Sequence, residues 1–179
     1  MKDHAADDGG KRYDDSIGSR AMEKELERII SQDTTLLNIT QSAQEGIDLG
    51  SGSGDSALAL FKICPNLRTL HCVDHRNRLV SPFKEELSAV AQEHRMTMQI
   101  FMKTMAASRE QVDVIMIASV QDLTQFRTVD FVNLARIVKP GGVIFEFAPN
   151  YSFKDQVPME DFFHSLASNN GVNIWQRNE

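Results

Sequence analysis

Apolar positions along the chain switch repeatedly between a helical period and a strand-like one. From Ser16 to Ser31, Met22, Leu26, Ile29 and Ile30 share one face while Glu23, Glu25, Glu27 and Arg28 look outward, which predicts an amphipathic helix. Residues 46–50 form a short apolar run that predicts the first strand. Ser56–Ile63 predicts the next helix, ended by Pro65 and Asn66. Leu67–Asp74 reads as the second strand, apolar at Leu70, Cys72 and Val73. Leu79, Phe83, Leu87, Val90 and Ala91 place a helix over Arg78–His94, and the alternation across Thr97–Met102 predicts a third strand. Val112–Ala118 is nearly all apolar, as expected of a strand covered by helices on both sides. A helix over Val129–Val138 ends at the turn signal Lys139-Pro140-Gly141-Gly142, followed by a strand over Val143–Phe147. A helix over Met159–Ser168 and a strand over Val172–Arg177 complete the pattern.

Strands alternating with helices in this way define an α/β protein with a doubly wound, mainly parallel sheet and helices on both faces. The polar residues 1–12, with adjacent glycines at 9–10, predict a disordered tail, leaving 13–179 as one domain. The 179 residues are 41% hydrophobic and 25% charged, the balance of an ordinary globular domain. A net charge of −6 provides no bulk attraction to nucleic acid or an anionic membrane. No apolar run approaches the ~20 residues of a membrane span, and the acidic N-terminus does not resemble a secretory signal. Cys64 and Cys72 match no common zinc spacing and read as reduced thiols near a core strand, so no metal and a cytoplasmic location are expected.

The densest chemical information lies at Glu45-Gly46-Ile47-Asp48-Leu49-Gly50-Ser51-Gly52-Ser53-Gly54-Asp55. An apolar strand runs there into three alternating glycines and then a helix. Such a turn brings bare backbone close to a ligand, because glycine lacks a Cβ and tolerates φ > 0. In an open α/β sheet this turn sits at the carboxyl edge, where ligands bind. Gly52, Gly54 and Ala57 also satisfy G-x-G-x-x-A, so a nicotinamide dinucleotide is one reading. Asp74 ends the second strand, where a carboxylate can accept both hydroxyl hydrogens of a ribose. Asp48 lies inside the first strand. A buried charge there needs a partner, which a ligand ammonium or nearby backbone N–H groups would supply.

Four segments in order carry a family resemblance: Gly-Ile-Asp-Leu-Gly-Ser-Gly-Ser-Gly (46–54), Cys-Val-Asp (72–74), Val-Asp-Val-Ile-Met-Ile-Ala-Ser (112–119) and Leu-Ala-Arg-Ile-Val-Lys-Pro-Gly-Gly-Val-Ile-Phe-Glu (134–146). Over roughly residues 40–150 the chain resembles the class I S-adenosylmethionine-dependent methyltransferases, with their Rossmann-like sheet. The resemblance implies S-adenosyl-L-methionine as cofactor. Gly50, Ser51 and Gly52 would let the backbone pass along its methionine part, and Asp48 would hold its amino group, directly or through water. Asp74 would take the ribose hydroxyls, with His75 and Arg76 beside the adenine. Ser119 and Val120 would lie near the sulfonium and acceptor, and Tyr13 is a loose match to an aromatic that covers the cofactor.

Two departures from the family pattern matter. The family usually has an acidic residue near the adenine amino group after the third strand, whereas this chain reads Met102-Lys103-Thr104-Met105-Ala106, leaving backbone groups or the Thr104 hydroxyl for that task. The chain also reaches Glu179 about thirty residues past the fifth strand, with room for one helix and one strand. A truncated C-terminal strand pair is therefore expected, with the open edge covered by a second copy or by the C-terminal segment. Glu146, Asn150 and Tyr151 follow the fifth strand and are candidates to orient or deprotonate an acceptor. No Asn-Pro-Pro-Tyr-like run follows the fourth strand, which argues against base methylation of nucleic acid. A small-molecule acceptor is expected, with protein acceptors left open. The rival reading is a catalytically inactive methyltransferase-like binding partner.

Overall fold

The computed structural model describes residues 15–118, 126–147, 161–169 and 172–179. In chain order the elements are α1 (Asp15–Ser31), α2 (Thr34–Ser42), β1 (Glu45–Leu49), α3 (Asp55–Ile63), β2 (Thr69–Val73), α4 (Ser81–Glu86) and β3 (Ala91–His94). They continue with α5 (Met98–Ser108), β4 (Val112–Ala118), α6 (Thr128–Ile137), β5 (Val138–Phe147), β6 (Phe163–Asn169) and β7 (Val172–Arg177). Among the described residues the strands form one seven-stranded sheet in the order β3-β2-β1-β4-β5-β7-β6. The first five strands are parallel, and β7 runs antiparallel between β5 and β6.

Alternate residues of the central strands feed two cores, as a pleated strand buried on both faces requires. On one face Leu70, Cys72, Val114, Met116 and Phe145 pack with Met22, Leu26 and Leu60 of α1 and α3. On the other, Ile47, Leu49, Ile115, Ile117 and Ile144 pack with Phe101 and Met102 of α5 and with Phe131 and Leu134 of α6. The doubly wound reading of the sequence describes this arrangement.

Three segments depart from their sequence-based expectations. The helix expected over Arg78–His94 is the short α4 followed by β3, whose Ala91-Gln92-Glu93-His94 is half-exposed and lacks an apolar signature. The strand expected over Thr97–Met102 is instead the start of α5. Met98, Phe101, Met102 and Met105 fall at i, i+3, i+4 and i+7, and the Thr97 hydroxyl caps the helix at Ile100 N. Phe163–Ser168, expected within a helix, belongs to β6, and Asn169 pairs with Val172 of β7. The dipeptide between them, Asn170-Gly171, is a strong sequence signal for a two-residue hairpin.

The sheet therefore does not lack its closing strand pair. β7 lies along β5, with Ile144 opposite Trp175 and Glu146 opposite Asn173. The edge that led to the expectation of a covering second copy is paired within the chain. The proposed tail at 1–12 and Tyr13 lie outside the described residues.

The Lys139-Pro140-Gly141-Gly142 turn is absorbed into β5 as an irregularity. Val112 pairs with Val138, yet Val114 pairs with Val143. Asp113, beside this bulge, locks the amino edge of the sheet. Its Oδ2 accepts from the amides of Gln44 and Glu45, at 2.9 Å each, and its Oδ1 accepts from Lys139 Nζ at 2.8 Å. A Cβ on Gly142 would lie 2.7 Å from the Asp113 carbonyl oxygen, so only glycine fits there.

Candidate cofactor-binding site

The glycine turn is pinned to the tip of β2 by backbone bonds. Gly50 N and Ser51 N both donate to Val73 O, at 2.8 and 3.1 Å. Gly50, Gly52 and Gly54 have φ of 80°, 52° and 118°, values that L side chains rarely adopt. At Gly52 an added Cβ would meet only Gly50 O, at 4.0 Å, so the backbone is open to a ligand on that side. At Gly54 it would strike Phe83 at 2.9 Å and Leu79 at 3.0 Å, because α4 packs directly on the turn.

Asp74 follows β2 and is bonded to the same turn. Its Oδ2 accepts from Gly52 N at 3.1 Å, and its Oδ1 accepts from the amides of Arg76 and Asn77 at 2.7 Å each. An ionised carboxylate offers about four acceptor positions. Donors among the described residues use three of them, which leaves one open on Oδ2.

Asp48 is fully buried on the face of β1 that looks toward α3. Its Oδ2 accepts from Ser56 Oγ at 2.7 Å, while Oδ1 has no hydrogen-bond partner among the described residues. Burial pushes its carboxyl up to about 7 against the lowering effect of the Ser56 bond, and the nearby charges of Asp74 and Asp55 add to the rise. Asp55, in the first turn of α3, is also buried and accepts from Ser53 Oγ at 2.7 Å. Three carboxylates thus surround one bare turn.

Beside the turn lies a hollow of about 180 Å³, lined by Ser51, Cys72, Asp74, Asn77, Arg78, Leu79, Glu93, His94 and Arg95. Asp48 flanks the turn from inside the sheet. His75 and Arg76 are exposed, and Arg76 Nε donates to His75 Nε2 at 2.8 Å.

Thr104 is not in the segment that leaves the third strand. It lies mid-way along α5, exposed, and its hydroxyl donates to Ile100 O at 2.9 Å. The segment that leaves the β3 tip is Arg95–Thr97, and the acid at that tip is Glu93, which sequence reasoning missed. Lys84 Nζ, at 2.8 Å, and burial act in opposite directions on Glu93, and the Lys84 bond prevails, holding it below its ordinary range. A polar edge strand gives no periodic signal, so only its pairing with β2 reveals it.

Glu146 is not at a rim. It lies inside β5, fully buried, and accepts from Trp175 Nε1 at 2.9 Å. Ser119, Val120, Asn150 and Tyr151 lie outside the described residues. Among the described residues there is no cluster of three or more metal-ligating side chains and no helix long and apolar enough to cross a membrane.

No family model matches the chain, and no curated protein matches it. Solved structures do. The N-methyltransferase NodS from Bradyrhizobium japonicum WM9, in complex with S-adenosyl-L-homocysteine, superposes with a TM-score of 0.63 at 16% identity, covering 98% of this chain and 95% of that one. A methyltransferase from Geobacter sulfurreducens superposes with a TM-score of 0.59 at 13% identity, over 89% of each chain. A SAM-dependent methyltransferase from Agrobacterium tumefaciens gives 0.57 at 12% identity, over 90% of this chain and 62% of that one. The chain has the class I methyltransferase fold.

Proposed function

We propose that this protein is an S-adenosylmethionine-dependent methyltransferase acting on a small-molecule acceptor. The observation that carries this reading is the charge of the glycine turn. Asp48, Asp55 and Asp74 gather around it, and Asp48 Oδ1 is buried without a partner among the described residues. A cation relieves that arrangement: an α-ammonium or sulfonium supplies the charge that the three carboxylates lack. A dinucleotide pyrophosphate does the reverse. In nicotinamide-binding folds it sits on this turn and the helix N-terminus behind it, where here Asp55 would repel it. The antiparallel β7 between β5 and β6 likewise differs from the 3-2-1-4-5-6 order of dinucleotide-binding sheets.

In this reading the bare backbone from Gly50 to Gly52 admits the methionine part. Asp48 faces its ammonium, the free position on Asp74 Oδ2 accepts one ribose hydroxyl, and the hollow between Leu79 and Arg95 receives the adenine. Bound there, the cofactor supplies a methyl group on a good leaving group, so that aligning an acceptor atom with the methyl carbon does much of the work. No buried catalytic base is required if the acceptor ionises readily. Seen this way, Glu146 is a structural acid and not a base, since Trp175 and the sheet enclose it.

The two departures from the family pattern lose their force: the C-terminal strand pair is present, and Glu93 stands near the end of β3. Calorimetry of the full chain with S-adenosylmethionine, S-adenosylhomocysteine and NAD tests the proposal. Binding of the first two and not of NAD is expected. NAD binding alone would overturn it, and binding of neither adenosyl compound by folded protein would return the binding-partner reading.

A further inference from the structure

A second feature touches the same hollow from the opposite face of β2. His71 of β2 and His94 of β3 face each other with Nδ1 and Nε2 2.9 Å apart. Their rings, with centroids 5.0 Å apart, both lie against Phe101 of α5, at 5.7 and 4.8 Å. His94 also lines the hollow, and its carbonyl accepts from Asp74 N at 3.1 Å. One residue therefore belongs to the histidine pair, to the hollow, and to the backbone bond that holds Asp74 in place.

We propose that the His71–His94 pair is a proton-operated clasp that holds the β3 tip against Asp74 and thereby sets how tightly the hollow binds an adenosyl ligand. The proposal rests on the cofactor reading above. With both rings neutral, one nitrogen donates and the other accepts. A first added proton leaves an imidazolium donating to an imidazole, so the bond survives. A second removes the acceptor and sets N–H against N–H, with two positive charges 2.9 Å apart.

Burial already disfavours charge on both rings, and each is held below its ordinary range. For His71 the charge of His94 adds to this effect, while Glu110 after α5 and Glu45 of β1 oppose it. From α5 the packed neighbour is the uncharged Phe101, and on the hollow side stand Asp74, Glu93, Arg78 and Arg95. β3 is the element free to yield. It has four residues, pairs on one side only, and is otherwise tied through Glu93 to Lys84 and Leu79 N.

The test is an amide and imidazole NMR titration of the ligand-free full chain from pH 7.5 down through the second imidazole midpoint, alongside S-adenosylhomocysteine affinity over the same range. In the wild type, the amides of Asp74, Arg76, Asn77 and Gly52 are expected to shift with the imidazole midpoints, and affinity to fall roughly tenfold as the clasp bond is lost. In His94→Gln, which keeps a hydrogen-bonding side chain but cannot take the charge, the part of both changes that follows the imidazoles disappears. His71→Gln serves if His94→Gln does not fold. Amides that ignore the imidazole midpoints, or that titrate identically in the variant, would overturn the clasp. Amides that titrate as described while no ligand binds at any pH would leave the clasp standing and overturn the cofactor reading instead.

Discussion

Asp48 and Asp113 sit on neighbouring strands at opposite ends of one sheet, and the chain treats them in opposite ways. Asp113, at the amino edge, accepts two backbone amides and a lysine. Burial works to raise its carboxyl, but these bonds outweigh it and hold the group below its ordinary range. Asp48, at the carboxyl edge, has among the described residues one hydroxyl partner and an oxygen with none, with like charges nearby, and its carboxyl is raised to about 7. Buried polar groups are as a rule hydrogen-bonded, and a buried carboxyl left short of partners is a candidate to meet a ligand. In the proposed reading the contrast separates a structural aspartate from one that meets the cofactor.

The largest expected effect tests this through pH. A buried carboxyl raised from 3.8 to about 7 keeps its proton in the folded chain where the unfolded chain has lost it, so Asp48 makes the protein less stable as pH rises through that window. About three units at ~1.4 kcal/mol each give an upper figure of ~4 kcal/mol. Denaturation of wild type and Asp48→Asn at pH 4 and pH 8 should therefore show the variant gaining on the wild type at pH 8. An equal difference at both pH values would mean that Asp48 is not held near neutrality. Adenosyl-ligand affinity should rise with pH over the same range, because a cation favours the ionised form.

Next in size, Asp113→Ala leaves two amides and Lys139 without their acceptor. It should cost ~3 kcal/mol in urea denaturation at pH 7, with adenosylhomocysteine affinity unchanged. A loss of affinity comparable to the loss of stability would erase the distinction between the two ends of the sheet. Asp74→Ala should do the converse, weakening adenosyl binding by ~1.5–3 kcal/mol in calorimetry. Unchanged affinity in a folded variant would misplace the ribose.

Glu146 sharpens the comparison, since it is as buried as Asp48 but bonded to Trp175. Trp175→Phe should lower stability by ~1–2 kcal/mol without changing the pH dependence assigned to Asp48. The smallest effect belongs to the surface pair Lys84–Glu93. Lys84→Met should change stability by less than ~0.5 kcal/mol, because exposed ion pairs contribute little.

Much of this contrast was legible in the residues. The alternating glycines, the acid inside β1 and the acid after β2 were visible as a pattern, and the structure brings Gly52 and Asp74 into direct contact. The apolar β4 and the helix before Lys139-Pro140-Gly141-Gly142 were visible too. What misled was local ambiguity. Residues 96–102 satisfy both a strand-like alternation through Met96, Met98, Ile100 and Met102 and a helical spacing through Met98, Phe101, Met102 and Met105. The N-cap at Thr97 is the finer signal that favours the helix. In the same way, Asp33 capping Thr35 and Leu36 marks α2, for which no separate element was expected. β3 and β6 carry too few apolar residues to announce themselves, because each is an edge strand with half its surface in water.

By itself the sequence determined where backbone could come close to a ligand and which acids stood near it along the chain, since glycine spacing and strand-end charges act over a few residues. Only the tertiary structure decided which of those acids were satisfied, that Glu93 shares a hollow with Asp74, that Glu146 is enclosed, and that two histidines 23 positions apart meet at 2.9 Å. Those outcomes depend on strand order and on burial, and burial is set by every packed element at once rather than by any local run of residues.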